Sequence, residues 1–123
     1  MLKELKNVRQ IDGEPRRRWF EDEYFDLIIW LEKDESVWGF QLCYDREHKP
    51  RALTWTKKSG YKHAGIDDGE SAFGAAKGSP VLVEDGVLDA DAVAKRFEKA
   101  AADMPHALAA FVLDRIKRHE FNA

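Results

Sequence analysis

Four side chains that could ligate a metal ion or transfer protons are concentrated between residues 63 and 70. They are His63, Asp67, Asp68 and Glu70. A divalent ion such as Zn²⁺ would need neutral imidazole and carboxylate oxygens converging at about 2.0–2.2 Å. No HExxH or His-x-His spacing supports such a site. A metal-assisted hydrolase using this cluster is one hypothesis, and an Asx turn followed by a solvated glutamate is the other.

A basic stretch, REHKPRALTWTKKSGYKH over residues 46–63, is the second candidate site. Cationic side chains interleaved with aromatic rings can follow a phosphate backbone and stack bases. This predicts a weak single-stranded nucleic-acid binder that uses Arg51, Lys57, Lys58 and Lys62. However, the chain has 20 basic and 23 acidic residues and a formal charge of -3, so no overall field favours nucleic acid. The alternative is a hairpin whose lysines solubilise a sheet edge and its turn, while Trp55 packs in the core.

Motifs for nucleophilic or phosphate chemistry are weak. Cys43, the single cysteine, could pair with His48 or His63 as nucleophile and base. A cysteine in the middle of a strand is more often a small apolar filler. In GESAFGAAK, residues 69–77, two alanines stand where a phosphate-binding loop needs Lys and Ser/Thr. We therefore expect no cofactor and favour a non-enzymatic protein.

The clearest structural pattern is a hairpin over residues 24–45, in which apolar side chains alternate with others at strand periodicity. Folding it about Asp34-Glu35, with a two- or four-residue loop, makes one face wholly apolar. The predicted pairs on that face are Phe25–Tyr44, Leu27–Leu42, Ile29–Phe40 and Leu31–Trp38. A slip of one residue would oppose apolar to polar positions, so the register is strongly specified. The same register sets Trp30 opposite Gly39.

The second face of this hairpin is our first-ranked site, because it mixes aromatic and polar groups as ligand grooves do. Its predicted members are Tyr24, Asp26, Ile28, Trp30 and Gln41, with Cys43 beside them. Three interpretations are open. The N-terminal hairpin or the long loop over residues 68–80 covers the face, a homodimer buries it, or it binds a small ligand or a partner protein.

The arginine run in EPRRRWFEDEYFD does not form a single basic patch. In a strand, Arg16 and Arg18 point to one side and Arg17 to the other. Acidic residues outnumber these arginines in the stretch, which favours cross-strand charge pairing. Trp19 and Phe20 likewise face opposite sides. We expect one of them in the core and the other beside Trp30.

The remaining segments predict an α+β fold. A first hairpin should join LKNVRQI to RRRWF, and a later one should turn at Ser59-Gly60, pairing Leu53 with Ile66 and Trp55 with Ala64. After a short strand at PVLVED, helical periodicity starts at Asp89, with Asp89 or Asp91 as N-cap, and Pro105 restarts a second helix. We predict a hairpin-rich antiparallel sheet of about five to seven strands. Two C-terminal helices should cover its Phe25 face.

Length and composition set the outer limits of the prediction. The 123 residues fit a single domain, 1–123. The first residues lack an apolar signal region, and the longest apolar run, LIIWL, is too short to span a membrane. One cysteine fits a reducing compartment. We predict a cytoplasmic, non-membrane binding or accessory module that uses the aromatic sheet face for a protein partner or small ligand.

Overall fold

In the residues that the structure describes, the chain forms a seven-stranded antiparallel sheet followed by two helices, which confirms the predicted α+β class. The computed structural model describes residues 1–67, 81–84 and 90–118, with side chains for all of these except 66, 67 and 81–84. Each strand pairs with the next one along the chain. The strands are β1 (Lys3–Glu4), β2 (Arg16–Glu21), β3 (Phe25–Leu31), β4 (Val37–Tyr44), β5 (Arg51–Thr56), β6 (Gly60–Asp67) and β7 (Val81–Glu84). The helices are α1 (Ala90–Ala100) and α2 (His106–Arg118).

The β3–β4 hairpin has the predicted register along most of its length. Three of the four predicted apolar pairs form, and Trp30 lies opposite Gly39. The fourth prediction is wrong, because Leu31 pairs with Val37 instead of Trp38. The register shifts between Trp30 and Leu31.

The hairpin loop explains this difference. Residues 33–35 form a three-residue loop closed by the Glu32 amide, which donates to the Ser36 carbonyl at 2.8 Å. The loop ends at Glu35, whose φ of 70° lies in the left-handed region. Such a loop displaces the register by one residue relative to a two-residue turn, and a β-bulge at Trp38 restores it.

Both helices pack on the Phe25 side of the sheet, as predicted. The Phe25 ring meets Phe97 of α1 at 5.8 Å between centroids, and Trp55 meets Phe111 of α2 at 5.3 Å. Fully burying a large apolar side chain contributes about 1.5–3 kcal/mol. The largest fully buried side chains are Phe20, Phe25, Phe40, Phe97, Leu2, Leu27, Ile29, Leu42, Leu53, Ile116 and Val112.

The helix boundaries follow the sequence signals. Pro105 immediately precedes α2, and its carbonyl accepts hydrogen bonds from the amides of Leu108 and Ala109. Asp91 lies inside the first turn of α1, so it is not the N-cap. The other predicted N-cap, Asp89, lies outside the described residues.

The predicted register of the β5–β6 hairpin is wrong. Thr56 pairs with Gly60, so residues 57–59 form a three-residue loop, and Gly60 has the positive φ of 70° that this loop requires. Leu53 consequently lies opposite His63 instead of Ile66. The displacement is an odd number of residues, so it exchanges the two faces of β6 and brings His63 to the helix side.

The predicted first strand, LKNVRQI at residues 5–11, is wrong, because β1 covers Lys3–Glu4 and no strand forms at 5–11. Beyond it, the side-chain amide of Gln10 replaces a strand at the edge of β2. Its oxygen accepts from the Arg17 amide at 2.8 Å, and its nitrogen donates to the Arg17 carbonyl at 3.0 Å. A side chain thus satisfies backbone groups that a longer β1 would have paired.

Neither α1 nor α2, the helices within the described ranges, is long and apolar enough to cross a membrane.

Candidate functional site: the tryptophan face

The side of the sheet opposite the helices carries a group of half-buried side chains that we call the tryptophan face. Direct cross-strand pairing aligns Trp19, Ile28, Gln41 and Thr54 in one row across four strands. Trp30 lies in the adjacent row, opposite Arg17 and Gly39. The tryptophan face is defined by Trp19, Ile28, Trp30, Trp38, Gln41 and Thr54, all of intermediate exposure.

Trp30 and Trp38 form the most distinctive feature of this face. Their ring centroids are 6.3 Å apart and their planes make an angle of 86°. The bulge at Trp38 removes this ring from the core side and places it next to Trp30. Two perpendicular indoles form a right-angled corner that presents an aromatic face, an aromatic edge and indole N–H donors.

Polar groups are fixed beside the aromatic rings. The Gln41 amide donates to the Thr54 hydroxyl at 3.2 Å, which fixes the orientation of the amide group. The Trp19 indole N–H donates to the Asp26 carboxylate, which fixes the Trp19 ring. These hydrogen bonds restrict the rotamers of the Gln41, Thr54 and Asp26 side chains, so a ligand would meet a preorganised surface.

The structure brings together four of the five predicted members of the site and separates the fifth. Asp26, Ile28, Trp30 and Gln41 share one face. Tyr24 precedes β3 and packs toward α1, where the Arg96 guanidinium lies 3.6 Å from its ring centroid. The turn causes this change of direction, because the Asp22 carboxylate accepts from the Tyr24 amide at 2.8 Å and holds the chain in an Asx turn.

Cys43 lies on the same side as Asp26, its cross-strand partner, and is not poised for nucleophilic chemistry. Burial, with a smaller contribution from the charge of Asp26, raises the pKa of the Cys43 thiol to about 12. Neither candidate base is beside it. His48 is exposed and contacts Asp45, and His63 lies on the other side of the sheet. The filler interpretation of Cys43 therefore has structural support.

The proposed metal cluster is only partly visible. His63 is buried on the helix side, where its Nε2 is 2.6 Å from the Tyr44 hydroxyl and the two rings stack. Asp68, Glu70 and the Asp67 side chain lie outside the described residues. In the part of the chain with described side chains, no group of three or more His, Cys, Asp or Glu residues could hold a metal ion.

The basic hairpin divides its four predicted cations between the two sides of the sheet and the loop. Lys62 lies opposite Thr54 on the tryptophan side, whereas Trp55 and Tyr61 pair with each other on the helix side. Lys57 is engaged by Glu32, and hydrogen bonds from Lys57 and Ser36 hold the pKa of the Glu32 carboxyl below its ordinary value.

The other two members of the basic set point away from a shared surface. Arg51 lies in register with Tyr44, on the side that carries the helices, while Lys58 is exposed in the hairpin loop. The four cationic side chains of this hairpin therefore do not form one surface with the Trp55 and Tyr61 rings.

The arginine run behaves as predicted. Arg18 forms a two-pronged contact with Glu4 at 2.7 Å, and Arg16 contacts Glu35 at 2.6 Å. Phe20 is buried in the core, and Trp19 joins the tryptophan face.

Two members of the tryptophan face were missed by sequence reasoning, namely Trp38 and Thr54. The sequence predicts Trp38 on the core side because both loop lengths considered, two and four residues, keep it there, whereas the observed three-residue loop and bulge do not. An Asp-Glu pair is a poor two-residue turn, and that was the available signal for a longer loop and a compensating bulge. Thr54 was missed because its face depends on pairing across β4–β5.

Compared with protein-family models, with curated proteins and with solved structures, the chain matches none of them.

Proposed function

We propose that the chain is a non-enzymatic binding module whose tryptophan face takes a protein segment or small ligand with an apolar or aromatic group. The observation that carries this proposal is the perpendicular Trp30–Trp38 pair, half-buried on the side of the sheet away from both helices. Tryptophan combines large apolar area with a polar N–H, and it is enriched at the energetic centres of interfaces.

The surroundings of the corner favour recognition over mere coverage of the sheet. Trp38 also lines a cleft of about 910 Å³ bounded by residues 13–16 and by residues 31–33. Ligand sites commonly occupy clefts of about 300–1,000 Å³ with a few polar groups among apolar walls. An aromatic group seated against the indoles would have the Gln41 amide as a nearby polar partner.

The proposal can be tested by titrating the ¹⁵N-labelled chain with a panel of soluble aromatic fragments, including indole and benzamide, in the millimolar range. We expect at least one fragment to shift the indole N–H signals of Trp30 and Trp38 while leaving that of Trp55 in place. Trp30→Ala should weaken this binding about tenfold or more, because loss of a central aromatic contact commonly costs about 1–2 kcal/mol of binding free energy.

Ile11→Ala is the matched surface control, since Ile11 is an apolar side chain 44% exposed outside the tryptophan face. It should leave the titration unchanged. If every fragment fails to move the Trp30 and Trp38 signals, or if Trp30→Ala binds as the native chain does, the proposed site is wrong. Sedimentation equilibrium of the native chain and of the Trp30→Ala variant tests the homodimer alternative. A dimer built on this face would dissociate in the variant.

A further inference from the structure

A second interaction surface lies on the other side of the molecule, along the exposed side of α1. Its cations are Lys95, Arg96 and Lys99, which we call the basic strip. Together with Ala92 they line a shallow surface hollow. Positions 92, 95, 96 and 99 fall on one face of a helix, so the three charges project in a similar direction. In the part of the chain described, none of the three forms an ion pair.

Arg96 is held in place by an aromatic ring. Its guanidinium carbon lies 3.6 Å from the centroid of the Tyr24 ring. Stacking uses the flat face of the guanidinium and leaves its in-plane N–H donors for a planar anion. Because the stacked arginine has already lost much of its rotamer freedom, binding a carboxylate at this position costs less entropy than at a free side chain.

The acids near the basic strip limit what can bind there. Asp22 is part of the adjoining wall, but its side chain is 5% exposed and accepts hydrogen bonds from the Tyr24 and Phe25 amides. Glu23 is exposed on the same wall. Asp91 and Glu98 are exposed on α1, four residues before and three residues after Lys95, so they border the basic strip. A broad polyanion such as nucleic acid or a lipid surface would be repelled by these charges and by the formal charge of -3.

We propose that the basic strip docks a short acidic segment of a partner protein, with one carboxylate on Arg96 and others on Lys95 and Lys99. Charge complementarity selects this occupant. Three cations within two turns of α1, which form no ion pair in the described part of the chain, match closely spaced Asp and Glu side chains. The bordering acids restrict the contact to a short segment. Arg96 supplies the geometric specificity, since its N–H fork fits a carboxylate in a way that an ammonium does not.

A titration with hexaglutamate at low ionic strength tests this inference. We expect saturable binding that weakens steeply as salt is added. Arg96→Ala should weaken it about tenfold, and Arg96→Lys should weaken it by an intermediate factor, because the charge is kept while the fork is lost. Tyr24→Phe should bind as the native chain does, whereas Tyr24→Ala should weaken binding without changing any formal charge.

Lys117→Ala, which removes an exposed charge from α2, is the charge-matched control and should leave hexaglutamate binding within twofold of native. Circular dichroism of each variant verifies folding.

The proposal is overturned if hexaglutamate does not bind, or if Arg96→Ala binds it as well as Lys117→Ala does. It is also overturned if a single-stranded oligonucleotide or phosphatidylserine vesicles bind more tightly than the peptide through these residues. Trp30→Ala should not affect this titration, which keeps it independent of the tryptophan face.

Discussion

Cys43 on β4 and His63 on β6 are separated only by β5, yet their side chains lie on opposite faces of the sheet. Cys43 pairs with Asp26 and Ala52 on the tryptophan side, whereas His63 pairs with Leu53 above the core. A sequence pattern shows both residue types but not the three-residue loop that decides which way His63 points. Because successive strand residues point to opposite faces of the sheet, the register of each hairpin determines which side chains can react together.

The thiol of Cys43 should be unreactive in the folded chain. Its pKa is raised to about 12 by burial and by Asp26, so at pH 8 the neutral thiol predominates and the nucleophilic thiolate is scarce. We expect a disulfide reagent such as 5,5′-dithiobis(2-nitrobenzoate) to modify it at least about a hundredfold more slowly than in urea. Lys58→Cys in a Cys43→Ala background gives the exposed control, which should react at the rate of a free thiol. Equal rates for the two cysteines would contradict this description of Cys43.

The elements of the chain were predicted with unequal success, and loop chemistry accounts for the difference. The β3–β4 register followed from an unbroken apolar alternation that tolerates no slip. The β5–β6 register did not, because its apolar positions are few and the turn was predicted at Ser59-Gly60 instead of residues 57–59, which shifts the pairing by three residues. The helices followed from their apolar period and from Pro105, which are local signals. The strand predicted at residues 5–11 was wrong, because the Gln10 side chain bonds the Arg17 backbone there instead, a contact that no sequence pattern indicates.

At the scale of strand packing, Gly39 is required by the close approach of β5. A Cβ built on Gly39 would lie 2.7 Å from the Trp55 carbonyl oxygen and 2.9 Å from the Thr56 methyl group. We expect Gly39→Ala to destabilise the fold by about 1–3 kcal/mol, since backbone must move to relieve the contact. Urea denaturation measures the change. Lys62→Ala, an exposed position on the neighbouring β6, is the control and should stay within about 0.5 kcal/mol of native. A Gly39→Ala chain as stable as this control would contradict the described approach of β5 to β4.

For the whole molecule, the fold class and the helix-covered face were predictable because burial pattern alone specifies them. The consecutive strand order was not, since hairpins can be joined in several ways that bury the same side chains. The candidate site was half predictable. Asp26, Ile28, Trp30 and Gln41 followed from the hairpin register, while Trp38 required the bulge. The two surfaces proposed here lie on opposite sides of the sheet, so one module could hold two partners at once.

The proposed binding site requires that the tryptophan face meets solvent, while helices cover the opposite face of the sheet. Ile28 and Ile29 test it as a matched pair, since they are the same residue type at adjacent positions on the two faces, half-buried and fully buried respectively. Adding a soluble gadolinium chelate to the methyl-labelled free chain and measuring paramagnetic relaxation reports how closely solvent approaches each methyl group. The account predicts strong relaxation of Ile28 and of the Trp30 indole, with Ile29 unaffected. Equal protection of Ile28, Trp30 and Ile29 would show that this face is covered and would remove the proposed binding site.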